Sequence, residues 1–351
     1  MAKVLAISLI ILLSVGIFGC SDGKPITPAD MDGSGKVVKI NGAGSTFVFP
    51  IMSKWTALYD DVESKVRVNY QSIGSGGGIR QVIAGTVDFG ATDGPMTDEQ
   101  LDEAKKPIVH IPIVMGAVVP TYNLKVKKQL RFSGDVLADI FLGKIKKWNN
   151  PRLKKINPGV ALPDKEIVIV HRADGSGTTY IWVDYLSKVS SRWRQKVGVS
   201  TSVNWPVGLG GKGNEGVAGQ VKRIPGALGY VELTYALQNK MAFGKVRNFA
   251  GKFVGASPAS VSEAGAGDVD ALPSDLRVSI TNAPGDKAYP ISGFVWLIAF
   301  ADQASEKDGK SLVNFVWWIL GEGQKVAEPL DYAPLPNEVV ELAKDKVKEI
   351  K

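Results

Sequence analysis

The chain of 351 residues contains one cysteine and two histidines. A single thiol allows no disulfide within the chain, and two isolated histidines without a cysteine cluster exclude the usual zinc patterns. Nucleotide motifs are missing too. The glycine-rich "GLGGKGN" has Pro206 where a P-loop needs its first glycine and Gly213 where it needs Ser or Thr. "GAGSTF" and "GSGGGI" both begin as G-x-G, but Phe47 and Ile79 take the place of the third glycine, so no dinucleotide fingerprint survives. No G-x-S-x-G nucleophile elbow is present, because Asp174 stands where the first glycine before Ser176 would be. Lys and Arg outnumber Asp and Glu by 42 to 35, but the basic residues are scattered. Mixtures such as "LKVKKQL" are the densest, and no nucleic-acid-binding pattern accompanies them, so a modestly basic surface is expected.

A long apolar run occurs at the N-terminus. "MAKVLAISLIILLSVGIFGC" has Lys3, then an apolar stretch from Val4 to Phe18 that falls short of the roughly 20 residues of a spanning helix. It reads as a secretory signal over residues 1–19. The lone cysteine, Cys20, closes it as in a bacterial lipoprotein signal, where the cysteine is acylated and becomes the first mature residue. Phe18 is bulkier than the small residue usual at that position, but no A-x-A site offers an ordinary cleavage instead. Residues 20–36 follow, polar and rich in Gly, Pro and Asp, and read as a flexible tether.

From Val37 one unit recurs: a short β-rich run, a Gly/Ser loop, then an amphipathic helix. "KVVKI" leads into "NGAGSTF", "KVRVNY" into "QSIGSGGG", and "EIVIVHR" into "ADGSGTT". This alternation predicts an α/β protein with mainly parallel sheets. Two longer apolar runs, "IVHIPIVMGAVVPTYN" and "AYPISGFVWLIAF", are candidates for strands that cross between two domains. "NEVVELAKDKVKEI" reads as a surface helix at the C-terminus.

Each loop places Gly, Ser or Thr between the carboxyl end of a strand and a helix start, where unpaired N–H groups and the helix dipole favour an anion. Ser and Thr are also ordinary N-caps, and for one loop alone the cap is the better reading; three such loops in one chain shift the balance towards an anion. Arg172 before the third loop favours the anion, since a guanidinium can make paired bonds to two oxygens of a tetrahedral ion. Asp174 can hold that arginine. A Ser–His–Asp triad is a poor reading of "HRADGSGTT", because triad members converge from distant segments. Asp93, at the end of "TVDFGATD", is a carboxylate facing the same cleft. It suits an anion that brings a proton, which phosphate does at neutral pH and sulfate does not. A helix cap before "PMTDEQL" explains it equally well.

The segments "NGAGSTFVFP", "IGSGGGIRQVIAGTVDFGATD", "LGKIKKWNNP", "RADGSGTTYI", "NWPVGLGGKGNEGVAGQVKRIPGALGYVE" and "LDYAPLP", in this order, resemble the PstS family. These are the phosphate-binding proteins of the bacterial high-affinity phosphate ABC transporter. The resemblance covers about Ile40 to Val340. It implies a two-lobed periplasmic-binding-protein clamshell with mixed, mainly parallel sheets and crossing hinge strands. Lobe one would comprise 37–117 and 290–351, and lobe two 118–289. It implies a phosphate site of Ser45, Thr46, Phe47 through its backbone, Ser75, Asp93, Arg172, Ser176, Gly177 and Thr178, with Asp174 behind the arginine. No catalysis, cofactor, metal or nucleic acid is implied. The expected protein is an extracytoplasmic monomer, anchored through lipidated Cys20, that delivers inorganic phosphate to ABC permease subunits with their cytoplasmic ATPase. A receptor for another oxyanion, such as sulfate or molybdate, and an enzyme acting on phosphate monoesters are the alternatives.

Overall fold

A computed structural model describes residues 37–267 and 272–351. The signal, Cys20 and the tether lie outside the described residues. Among the described residues, no helix is long and apolar enough to cross a membrane.

In chain order, the first half of the fold runs β1 (Val38–Gly44), α1 (Phe49–Val62), β2 (Val66–Ser72), α2 (Ser75–Ile83), β3 (Phe89–Thr92), α3 (Asp98–Ala104) and β4 (Ile108–Tyr122). The chain continues with β5 (Arg131–Phe132), α4 (Gly134–Phe141), α5 (Pro151–Ile156), β6 (Val168–Arg172), α6 (Gly177–Val189), α7 (Ser191–Lys196), β7 (Leu209–Gly211), α8 (Gly213–Arg223), β8 (Ala227–Glu232), α9 (Leu233–Gln238), β9 (Ala242–Phe243), β10 (Lys245–Arg247), β11 (Phe253–Val254) and α10 (Pro258–Gly265). It closes with β12 (Ser292–Phe300), α11 (Glu306–Leu320), two 3-10 turns and α12 (Asn337–Val347). This is the α/β architecture that the strand–loop–helix pattern predicts.

One curled mixed sheet of nine strands has the order β2-β1-β3-β12-β4-β8-β6-β7, with β9 also on β4; a separate sheet has the order β11-β10-β5. β1 pairs in parallel with β2 and β3, and β6 with β7 and β8. β4 joins the two parallel groups. Its first part, Ile108 to Ala117, runs antiparallel to β12, and its last part, Val118 to Tyr122, runs antiparallel to β8. Fourteen of its fifteen residues are buried, which is why the run carries no charged residue. Pro112 has no N–H for the ladder, and the register of β12 on β4 slips at that point, pairing Val295 with Val114 but Trp296 with Pro112. The other long apolar run supplies β12, which pairs with β3 and β4 on one side of this change of partner.

Aromatic side chains fill the core, and the buried indoles other than Trp182 donate their N–H groups to backbone. Trp55 donates to Gly323, Trp148 to Gly226 and Trp296 to Leu276, all at 2.8–2.9 Å. Residues 276–282 are gripped from both sides of the fold. Arg277 donates to the Met96 carbonyl at 2.8 Å and pairs with Asp98, while Ser279 and Thr281 bond Asp184 on α6.

His110 on β4 is buried, and its Nε2 accepts the Met96 N–H at 3.2 Å. Burial first, then the nearby Arg277 charge, pull its pKa from 6.5 down to about 4, against a smaller opposing pull from Asp275. The neutral ring therefore contributes stability that is complete above pH 6.5 and is lost as pH falls towards 4, a span worth roughly 3 kcal/mol. Denaturant unfolding at pH 7 and pH 4 should show a smaller acid loss in His110→Gln, which keeps an acceptor for Met96. Equal acid losses in the two proteins would remove His110 as the responsible group.

Candidate functional site

Four strand ends deliver four loops to one place between the two halves of the large sheet. The first runs from β1 to α1. Its Ser45 N–H is tied to the Ala91 carbonyl of β3 at 2.8 Å. Three phenols far apart in sequence then hold three successive carbonyls of this loop. Tyr70 donates to Ser45 (2.9 Å), Tyr235 to Thr46 (2.7 Å) and Tyr332 to Phe47 (2.6 Å). Burial raises the pKa of all three, so they remain donors at neutral pH. With its carbonyls so engaged, the loop presents hydroxyl and N–H groups to the centre. The Ser45 hydroxyl donates to Asp93 Oδ1 and accepts from the Phe47 N–H at 3.0 Å. The Phe47 ring is buried against Tyr332.

The second loop turns at Gly74, whose φ of 88° favours glycine. A Cβ there would also lie 2.4 Å from Asp174 Oδ2. Ser75 opens α2 and donates to Asp93 Oδ1 at 3.1 Å. Next to it, the Gly76 N–H donates to the Gly175 carbonyl of the third loop at 3.0 Å, joining the two sides backbone to backbone.

Arg172 ends β6 with its side chain 1% exposed. Its Nε donates to Asp174 Oδ1 at 2.8 Å and its Nη2 to Oδ2, a two-pronged clasp, while Nη1 lies 3.4 Å from the Thr178 hydroxyl. Burial opposes the Asp174 charge, but the bonds and charge of Arg172 prevail and hold its carboxyl below the ordinary value. Ser176 serves as the N-cap of α6, accepting the Thr179 N–H at 3.0 Å. The N–H groups of Gly177 and Thr178 then donate to no other group among the described residues. A Cβ on Gly177 would lie 2.4 Å from Asp93 Cγ, so only glycine allows this carboxylate against the first turn of α6.

Asp93 is the meeting point. It is 1% exposed and accepts from Ser45, Ser75 and, at 3.2 Å, Thr178. Burial raises its pKa; the Ser45 bond, the Arg172 charge and the bonds of Ser75 and Thr178 pull back. It does not cap α3, whose N-cap is Thr97 in a capping box with Gln100.

The fourth loop, from β7 to α8, supplies a residue that sequence reasoning missed. Asn214 Nδ2 donates to the hydroxyls of Thr46 (2.8 Å) and Thr178 (3.1 Å), and its Oδ1 accepts the Glu232 N–H at 2.9 Å. Its loop is another strand–glycine–helix unit, and that pattern was the available signal. The three tyrosines offered none, because no local spacing distinguishes a phenol aimed at a remote carbonyl.

Ser45, Thr46, Phe47, Ser75, Asp93, Arg172, Ser176, Gly177 and Thr178 thus lie together, with Asp174 behind Arg172. α8 spends its first N–H groups on Asp174 and the Thr46 hydroxyl, and Gly76 of α2 spends its own on Gly175, so the helix start that turns open N–H groups to the site is that of α6, at Gly177 and Thr178. Such an arrangement can hold a small tetrahedral anion through many donors and offer it one carboxylate acceptor. His171 stacks on Trp205 with Nδ1 at 2.9 Å from the Arg172 carbonyl, so it does not serve Ser176 as a base. Among the described residues, no group of three or more His, Cys, Asp or Glu is placed to hold a metal.

Two halves of an α/β sheet joined through one long strand, with loops converging between them, define a binding protein of the PBP superfamily, and the superfamily domain matches residues 30–322. The chain is 46% identical over 321 residues to the phosphate-binding protein PstS of Xylella fastidiosa, covering 91% of this chain and 87% of that one. The chain belongs to the PstS family of phosphate-binding proteins. Among solved structures, the high-affinity periplasmic phosphate-binding protein PfluDING, bound with phosphate, shares the fold at 20% identity with a TM-score of 0.71, over 88% of this chain and 93% of that one. An ABC-type phosphate transport receptor from Vibrio cholerae does so at 18% identity and 0.55, over 85% of this chain and all of that one.

Replacing Asn214 by Ala removes its amide bonds to the Thr46 and Thr178 hydroxyls and strands the buried Glu232 N–H. Leaving a buried group unsatisfied costs about 1–3 kcal/mol. The melting temperature of Asn214→Ala should fall accordingly, and an unchanged value would show that Asn214 is not a bridge between the loops.

Proposed function

We propose that this protein captures inorganic phosphate between its two lobes and delivers it to a membrane ABC importer. The observation that carries the reading is Asp93, a buried carboxylate ringed by hydroxyl donors, beside the start of α6 and Arg172. An anion held there must satisfy a group that has no proton of its own to give. Phosphate brings a proton at neutral pH and sulfate does not. In this reading the Ser75 and Thr178 hydroxyls turn from Asp93, and the Phe47 N–H from Ser45, to phosphate oxygens, joined by the Thr46 hydroxyl, the N–H groups of Gly177 and Thr178, and Arg172, while the phosphate O–H takes the vacated place on Asp93. Ser45 and Asp174 hold Asp93 and Arg172 in place, and Ser176 shapes the start of α6. The protein is a receptor and not an enzyme, since binding needs no nucleophile or base. Release of a phenol from a generic phosphomonoester at a measurable rate would favour the enzyme instead.

Delivery to an ABC permease is supported by the name of the Vibrio cholerae receptor, and an extracytoplasmic setting by the periplasmic protein that shares the fold. The proposed lobes are 37–117 with 290–351, and 118–289. What supports them is the exchange of partner along β4 between Ala117 and Val118. Residues 276–282, gripped from both sides, form part of the hinge. The protein is proposed to act as a monomer, without nucleic acid, held at a membrane through lipidated Cys20 and the 20–36 tether. Cys20→Ser should move the protein from the detergent to the aqueous phase in phase partitioning without changing phosphate affinity. A wild-type protein already in the aqueous phase would contradict lipidation.

Calorimetric titration with phosphate, sulfate and arsenate tests the central reading. A site built around a polar partner rejects the analogue that lacks it by roughly 10⁴–10⁵-fold. Arsenate carries the same protons and should be discriminated far less. In Asp93→Asn the repulsion disappears and an N–H donor is gained, so sulfate should gain on phosphate. A ratio of the two dissociation constants that stays the same in the variant would place selectivity elsewhere.

A further inference from the structure

Charge is divided unequally between the proposed lobes. Residues 118–289 carry 25 Lys and Arg against 13 Asp and Glu, whereas 37–117 with 290–351 carry 14 against 19. The excess of the second lobe gathers in part on the separate sheet β11-β10-β5. Lys245 and Arg131 are register partners on neighbouring strands, both exposed. Like charges directly opposite destabilise a sheet. Lys128, from the "LKVKKQL" run, joins them around a pocket of about 250 Å³ completed by Gln129, Asn157, Pro158 and Val160, with no acidic residue in its lining. Asn157 spends its amide on Arg131 and Leu153 backbone, so it shapes the pocket without neutralising it. Lys128, Arg131 and Lys245 form no ion pair among the described residues, unlike the neighbouring Arg247 and Arg152, which share Asp135.

The same sheet ends in a hairpin tip, "RNFAGK", between β10 and β11. Phe249 at this tip is 68% exposed, between Arg247 and the exposed Lys252. The exposure is built in. Asn248 beneath it is buried and donates to the carbonyls of Gly285, Asp286 and Ala288 at 2.9–3.1 Å. The tip is pinned, and the phenyl ring stands out between the exposed Lys252 and Arg247, of which Arg247 is paired with Asp135. A cluster of uncompensated cations beside a rigidly presented aromatic ring matches the chemistry of a bilayer surface, where phosphate groups meet acyl chains.

We propose that this sheet and its hairpin tip form a docking face for an anionic phospholipid surface. Lys128, Arg131, Lys245 and Lys252 meet the headgroup phosphates, and Phe249 enters the interface. The face lies outside the loops that form the candidate anion site, and the proposal stands whether or not the protein carries phosphate. A protein part acidic and part basic would be oriented by such a surface, its basic lobe towards the membrane.

The test uses the full chain with Cys20→Ser, so that no acyl group contributes, and co-sedimentation with vesicles. Phosphatidylglycerol mixed into phosphatidylcholine should bind the protein far better than phosphatidylcholine alone, with binding weakened by salt. Charge reversal in Lys128→Glu/Arg131→Glu/Lys245→Glu should lower partitioning to the anionic vesicles on the order of 100-fold, from the contribution of each cation near such a surface. Phe249→Ser should weaken it with the charge unchanged. Phosphate affinity in both variants should match the parent, which reports that the fold is intact. Equal binding of parent and triple variant to anionic vesicles would overturn the proposal. So would release by soluble glycerophosphate, which assigns the pocket to a free phosphate ester. Retention on polyglutamate without any preference for anionic vesicles would assign the face to an acidic protein segment and overturn it too.

Discussion

The structure depends on a carboxylate kept where a carboxylate is costly. Asp93 is buried among hydroxyls from loops on both sides of the sheet, close enough to Arg172 to feel its charge. Desolvation disfavours its ionised form. The hydroxyl bonds and the guanidinium offset that penalty. Each of those donors must then be held in position by something else. Asp174 clasps Arg172, Ser176 starts the helix that carries Thr178, and three phenols hold the carbonyls behind Ser45, Thr46 and Phe47. In the proposed reading, an anion entering this centre meets donors already arranged, and one carboxylate acceptor.

Bringing these groups together requires the two halves of the molecule to approach at the backbone. Gly76 bonds Gly175 across the gap, Gly74 leaves room for Asp174, and Gly177 leaves room for Asp93. Side chains at any of the three would hold the loops apart. The glycines of "IGSGGG" and "ADGSGTT" thus permit the close approach of the two loops. β4 is a second link between the halves: a continuous strand that pairs with β12 in one and with β8 in the other.

Charge works at two scales in this protein. At the centre every cation and carboxylate has a partner, because low dielectric makes an unpaired charge costly. At the surface of the β11-β10-β5 sheet, water screens like charges and allows Lys245 to stand beside Arg131. Such an arrangement persists in water but favours contact with an anionic surface, and the pinned Phe249 adds apolar area to that contact.

By itself the sequence determined the repeated strand–loop–helix unit, and with it an α/β protein with loops gathered at strand ends. That much follows from local rules: β-branched runs, glycine before a helix, apolar residues at helical spacing. It also brought out Asp93, Arg172 and Ser176 as residues in search of a role, since charged and hydroxyl residues at those loop positions are few. Tertiary structure alone showed that Asp93 is not the cap of α3, because whether a carboxylate caps a helix or meets a remote hydroxyl depends on packing across the sheet. Tyr70, Tyr235 and Tyr332 became visible only then. Their partners lie 25 to 285 residues away in the chain, and no local pattern encodes contacts at that separation. The pairing of Lys245 with Arg131 was hidden for the same reason. Register between strands over a hundred residues apart is set by the burial of Val246 and Phe132 beside them, and two basic residues are carried into contact as a consequence.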